Sequence, residues 1–156
     1  ILHPERLFVA GTLHDIGTLL INRHFPELAE QTISEAAGDE DRLFRAEQRD
    51  IGFDHAFLGG LMLADWALPP ALCEAVRWHH QPHRARLAPL EAAILMVADG
   101  IANYSGTGSH SELVAQEERH DVLQLERFGV TLTCSNDELM DEVDEQFVET
   151  LYLLLG

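Results

Sequence analysis

Apolar and polar positions recur along most of this chain at helical spacing, and prolines, glycines and acidic caps cut the pattern into successive lengths. Pro4 opens a run that continues to about Phe25. Pro26 opens a second that reaches Gly38, and Asp39 is placed to cap a third that ends at Asp50. Asp54 can cap "HAFLGGLMLADW", after which "LPP" starts the helix "ALCEAVRWHH", stopped by Gln81 and Pro82. Beyond the loop "QPHRARLAP", the stretch from Leu90 to Asn103 is apolar on nearly every side, which predicts a fully buried helix. Alternation of the strand kind is confined to "VTLTC" at 130–134, so the expected class is all-α.

The segment "SGTGSHS", residues 105–111, reads as a loop within a single domain over 1–156, between a core over 1–104 and an acidic C-terminal helical extension over 111–156. There Asn136 can cap a helix whose stripe of Leu139, Val143, Phe147, Leu151 and Leu154 opposes a solvated acidic face. A chain of 156 residues, 46% apolar and 24% charged, suits one globular core. No apolar run approaches the roughly 18 to 20 residues that span a bilayer, so no membrane partner is expected. Cys73 and Cys134 form no CxxC and imply neither a disulfide framework nor a zinc knuckle; with no signal peptide in view, a reducing cytoplasm is the expected location.

Charge changes the picture further. The net charge is −17, and all 10 basic residues are arginine. Such a surface repels phosphate backbones and disfavours nucleic acid as a partner, while a local arginine cluster can still hold one small anion.

Against this background six residues place metal-competent groups among apolar neighbours: His14 and Asp15 in "LHDIG", His55 in "GFDHAFLGG", His79 and His80 in "RWHHQP", and Asp99 in "MVADGIA". Burying an unpaired carboxylate or imidazole is costly, and a cation can satisfy several at once. Imidazole and carboxylate donors without thiolates suit a divalent iron, manganese, zinc, nickel or cobalt ion. Adjacent helical residues diverge by about 100°, so the pairs 14/15 and 79/80 fit two neighbouring ions better than one. Asp15 is the candidate bridge.

Taken singly, each residue has a blander reading. His14 and Asp15 can be hydrogen-bonded core groups, His55 a first-turn residue behind its cap, and the 79/80 pair a helix C-terminus whose dipole favours imidazolium. His24, His83, His110 and His120 read as solvated, and Trp66 and Trp78 as packing residues. Gly11 and Gly17 are read as points where neighbouring helices approach. Together the six residues are more economically explained by one shared site.

In this order, "LHDIG", "GFDHAFLGGLMLADWALPPALCEAVRWHHQP" and "AAILMVADGIA" resemble the HDOD family, the HD-related output domains of bacterial signalling proteins, and more distantly the HD-GYP cyclic-di-GMP phosphodiesterases. The resemblance runs from about Leu7 to Ala102. It implies an HD-domain-like helical bundle and puts all six residues at positions that hold metals in catalytic relatives. It also implies a ligand histidine from a helix well upstream; His3 is too close to His14 for that role, so an upstream segment is expected.

Two departures bear on activity. HD-GYP enzymes carry a phosphate-gripping lysine directly after "HDIG", where this chain has Thr18, and a Gly-Tyr-Pro motif after the paired histidines, where this chain has "QPHRARLAP". Arg77 or Arg23 is the available substitute for the lysine. The expected function is therefore a signal-transduction output domain with an HD-type metal site and weak or no catalysis, whose partner is a signalling protein or a small phosphorylated ligand. The alternative is a metal-dependent phosphohydrolase acting on a nucleotide or phosphoester, with Asp15 as the catalytic metal bridge; a third reading is a structural domain with a degenerate site.

Overall fold

A computed structural model describes residues 4–105 and 125–131, together with positions 138, 139, 141, 142 and 145. The described residues form seven α-helices: α1 (Pro4–Leu13), α2 (Ile16–His24), α3 (Pro26–Ala36), α4 (Glu40–Asp50), α5 (His55–Asp65), α6 (Pro70–Arg77) and α7 (Pro89–Ser105), with a 3-10 turn at Pro82–Arg84. No strand occurs among them, and the class is all-α. The segment 106–111, the end of "VTLTC", His110, His120 and nearly all of the helix expected from Asn136 lie outside the described residues.

Most boundaries follow the capping chemistry. Asp39 accepts a hydrogen bond from the Arg42 amide at 3.0 Å and opens α4. Asp54 accepts from the Phe57 amide at 2.7 Å and opens α5. Proline occupies the first turn of α3 and of α6, where its missing N–H costs nothing.

Two boundaries differ from the expected ones, and both fall at candidate site residues. The run from Pro4 to Phe25 is two helices, because the chain turns at His14 and Asp15. The helix "ALCEAVRWHH" ends at Arg77, so His79 and His80 lie in the turn that follows.

Packing centres on α5, which lies against α2 on one side and α6 on the other; α7 closes over α6 and α1, and α3 pairs with α4. Ala10, Leu63, Leu72, Cys73, Ala75, Val76, Ala88 and Leu95 form the main core. Gly17 permits the closest approach: a Cβ there would lie 2.0 Å from the His55 carbonyl oxygen and 2.8 Å from the Gly59 nitrogen. Gly11 meets nothing within 4 Å, so it has no such part.

Helix α7 is two-sided rather than fully buried. Leu95 joins the main core, while Ala93 and Val97 form a second cluster with Leu125, backed by Phe128 and Val130, and Ala98 is exposed. Its entry is fastened by Glu74 of α6, whose Oε2 accepts from the backbone amides of Arg86 at 3.0 Å, Ala88 at 2.9 Å and Leu87 between them. These three donors outweigh the effect of burial and hold the Glu74 carboxyl below its usual range. Trp66 was expected to pack; it is 51% exposed. Among the described residues no helix is long and apolar enough to cross a membrane.

Candidate metal centre

The break between α1 and α2 is made by the histidine that follows α1. His14 donates Nδ1–H to the carbonyl of Gly11 at 2.7 Å, an oxygen that in an unbroken helix accepts from the amide of residue 15. The turn releases His14 and Asp15 from the 100° divergence of helical neighbours. Their side chains converge, with His14 Nε2 3.3 Å from Asp15 Oδ2.

The turn after α6 repeats the device. Helix ends leave carbonyls unsatisfied, and His79 donates Nδ1–H to one of them, Val76, at 2.7 Å. His55, first residue of α5, has its Nδ1 2.7 Å and its backbone amide 2.9 Å from a single oxygen of Glu47 on α4. Thus three of the four imidazoles have Nδ1 tied to an oxygen, leaving Nε2 for the interior.

The Nε2 atoms meet. That of His80 lies 2.9 Å from that of His55. The rings of His79 and His80 are 4.0 Å apart, and those of His14 and His79 5.3 Å apart, centroid to centroid. From α7, Asp99 brings Oδ1 to 3.4 Å from His14 Nε2, steadied by the Asn103 amide at 2.9 Å. All six residues singled out in the sequence are therefore together, in two groups: His55, His79 and His80 offer donor atoms within 4.8 Å of one another, as do His14, Asp15 and Asp99. Asp15 joins the groups, with Oδ2 toward His14 and Oδ1 3.5 Å from His55 Nε2.

Charge is distributed unevenly across the cluster. Burial lowers the pKa of His14, but hydrogen bonds to Asp15 and Asp99 outweigh it and raise the value to about 11. His55 is likewise opposed by burial and raised to about 10 by Glu47. His79 lacks such a partner; burial and the neighbouring His55 charge lower it to about 4, and His80 falls well below its usual value for the same kind of reason, with His79 the nearer influence. The Asp15 carboxyl, pushed up by burial, is brought well below its usual range by His14 and His55.

Two carboxylates of the site escaped the sequence reading. Glu40 and Glu47 stand on one face of α4, a turn before and a turn after the buried Leu43 and Phe44. An acid at i and i+7 around an apolar pair was the available signal. Half-buried Glu40 is raised to about 8 by burial and by the charge of Asp99. His24, His83 and Arg23 are exposed and lie outside the cluster.

The donor set passes a simple test for a cation. His79 Nδ1 must carry a proton to meet a carbonyl, and the ring is neutral, so its Nε2 presents a lone pair. That atom is buried and has no hydrogen-bond partner among the described residues. Buried polar atoms are rarely left so.

A helical bundle with a histidine and aspartate cluster at the meeting of its helix ends is the architecture that the resemblance implied. The HDOD domain matches residues 1–82, more than half of the chain, and the chain belongs to the HDOD family. No curated protein and no solved structure matches it. The family match takes in five of the six residues; Asp99 lies beyond it and is added by the packing of α7.

Proposed function

We propose that this chain is a regulatory output domain built around a divalent-metal centre, in which His14, Asp15 and Asp99 hold one ion, His55, His79 and His80 hold a second, and Asp15 bridges them. The observation that carries the reading is the buried, unpartnered Nε2 of His79 at the meeting point of three other imidazoles. Nitrogen and oxygen donors suit iron, manganese, zinc, nickel or cobalt. Such ions supply Lewis-acid polarisation of a phosphoryl oxygen and a more acidic bound water.

The protein's own part is orientation. Glu47 and the carbonyls of Gly11 and Val76 engage Nδ1 of three rings and so turn their Nε2 atoms toward the interior. The regulatory reading is preferred because Thr18 stands where a phosphate-gripping lysine would, and its output would be read by a signalling protein or a small phosphorylated ligand. Retention of all six donors in one cluster keeps phosphohydrolysis as the second reading.

Elemental analysis of protein purified without chelator tests the centre. Between about one and two divalent ions per chain is expected, and under about a tenth of an ion overturns it. If metal is present, assays on phosphomonoesters, nucleotides and cyclic dinucleotides separate the two readings: turnover abolished by Asp15→Ala favours the hydrolase, turnover that survives it excludes Asp15 as the catalytic bridge, and none favours the regulatory reading.

A further inference from the structure

Beside the histidine cluster, and sharing His80 with it, lies a cavity of about 200 Å³ walled by Phe44, Phe57, Arg77, Trp78 and Arg84. The Arg77 guanidinium packs 4.6 Å from the Phe57 ring centroid and 5.2 Å from that of Trp78. Its Nε is buried and unpartnered. Arg84 lies over Trp78 at 4.4 Å and uses one N–H on Gln81 Oε1 at 2.8 Å.

Neither arginine forms an ion pair among the described residues. The acid lining the cavity, Asp54, has both oxygens engaged, accepting from Gln48 Nε2 at 2.9 Å and from the Phe57 amide at 2.7 Å. In a chain with 27 acidic and 10 basic residues, two guanidiniums at one cavity without an acidic partner run against simple charge neutralisation. The aromatic faces hold the guanidiniums in place and leave their edge N–H groups for a planar fork of oxygens.

We infer that this cavity is an oxyanion site for the phosphoryl group of a small phosphorylated ligand, with Arg77 and Arg84 as donors and His80 as the wall shared with the histidine cluster. The volume falls below that of most whole-ligand pockets, roughly 300 to 1,000 Å³, and suits a phosphoryl group with its first attached atoms. Arg77 thereby supplies the positive charge for which the chain has no lysine. The inference extends the proposed function, and rests on it for the role of the site but not for the binding itself.

The test is calorimetric titration of the full chain, chelator-treated and metal-loaded, with inorganic phosphate and with phenyl phosphate at constant ionic strength. Chelated protein is expected to bind with a Kd in the millimolar range, weakened about tenfold by Arg77→Gln and about threefold by Arg84→Gln, with unchanged circular dichroism. Tighter binding of the ester identifies an organic phosphate as the ligand; equal affinities identify the free anion. Binding that needs metal and ignores both substitutions overturns the oxyanion site and leaves the metal centre standing. Arginine-dependent binding in a chain that takes up no metal supports the oxyanion site and overturns the metal centre. No binding of either compound in either state overturns the inference, and should Arg77→Gln fail to fold, the exposed Arg84 decides it.

Discussion

The turn after α1 and the turn after α6 each set two polar residues side by side at a helix end, and in each a histidine, His14 or His79, donates Nδ1–H to a carbonyl three residues back. What surrounds them differs. His14 faces Asp15 and Asp99 and is held as a cation, whereas His79 stands among the rings of His14, His55 and His80 with no carboxylate hydrogen-bonded to it among the described residues, and is held neutral. A spare helix carbonyl decides which nitrogen carries the proton, and the neighbouring side chains decide how many protons the ring keeps. One group of the cluster thus balances its carboxylates internally, and in the other the neutral pair His79 and His80 presents lone pairs beside a protonated His55.

The largest effect should come from pushing the halves apart. Gly17 lets α2 lie against the start of α5, and a methyl there would meet the His55 carbonyl, which is backbone and cannot swing aside. Gly17→Ala is expected to cost about 3 kcal/mol or more, a fall in Tm of roughly 10 °C. Gly11→Ala, three residues before His14 but in open space, should be neutral or stabilising by up to about 1 kcal/mol. Equal melting temperatures for the two variants would remove the close approach from the account.

Next comes the residue that touches both halves. Asp15→Ala removes oxygens that face His14 and His55 at once, and metal content should fall to a background of under about a tenth of an ion per chain. His80→Ala takes one donor from the His55, His79 and His80 group and should leave the His14, Asp15 and Asp99 group able to hold an ion, so about half of the metal should remain. Equal loss in both would mean that Asp15 does not bridge.

How far this was legible beforehand depends on what each residue needed to reveal itself. The caps Asp39 and Asp54 and the prolines opening α3 and α6 act locally, and they marked those helices correctly. The six clustered residues were visible because a polar group in an apolar run is anomalous wherever it packs. The two turns were not visible, because a side chain that captures a helix carbonyl leaves the apolar periodicity unchanged. Glu47 was hidden for a related reason: in "EDRLFRAEQRD" an acid draws no notice, and its burial against His55 comes only from the packing of α4 at the start of α5.

Glu47 gives the third prediction. Glu47→Gln keeps the size of the side chain but accepts from His55 Nδ1 as a neutral amide, so the ring is oriented less firmly and its basicity falls. A loss of about tenfold in metal affinity is expected, measured by competition with a chromophoric chelator, with little change in fold. An unchanged affinity would place Glu47 with the core rather than with the site.

The smallest effect is the pH dependence of the chelated protein, where the raised pair His14 and His55 and the lowered pair His79 and His80 should pull in opposite directions. His14 and His55 are raised from 6.5 to about 11 and about 10, so they bind more protons folded than unfolded, and the stability they add below pH 6.5 is lost as pH rises toward 10. Glu40, raised from 4.5 to about 8, weakens the fold as pH rises from 4.5 to about 8, on both sides of pH 6.5. His79 is lowered from 6.5 to about 4 and His80 shifts the same way, so their unfolded forms bind the extra protons and stability is lost as pH falls below 6.5. Two neutral histidines outnumber Glu40 on the acid side, and three raised groups act together on the alkaline side. Melting temperature in chelator should therefore peak near pH 6.5 and fall by a few degrees on either side. If His14 and His55 are ligands, metal binding would expel their protons and loading should flatten the alkaline limb; a limb that stays equally steep with metal bound would show that those two histidines are not ligands.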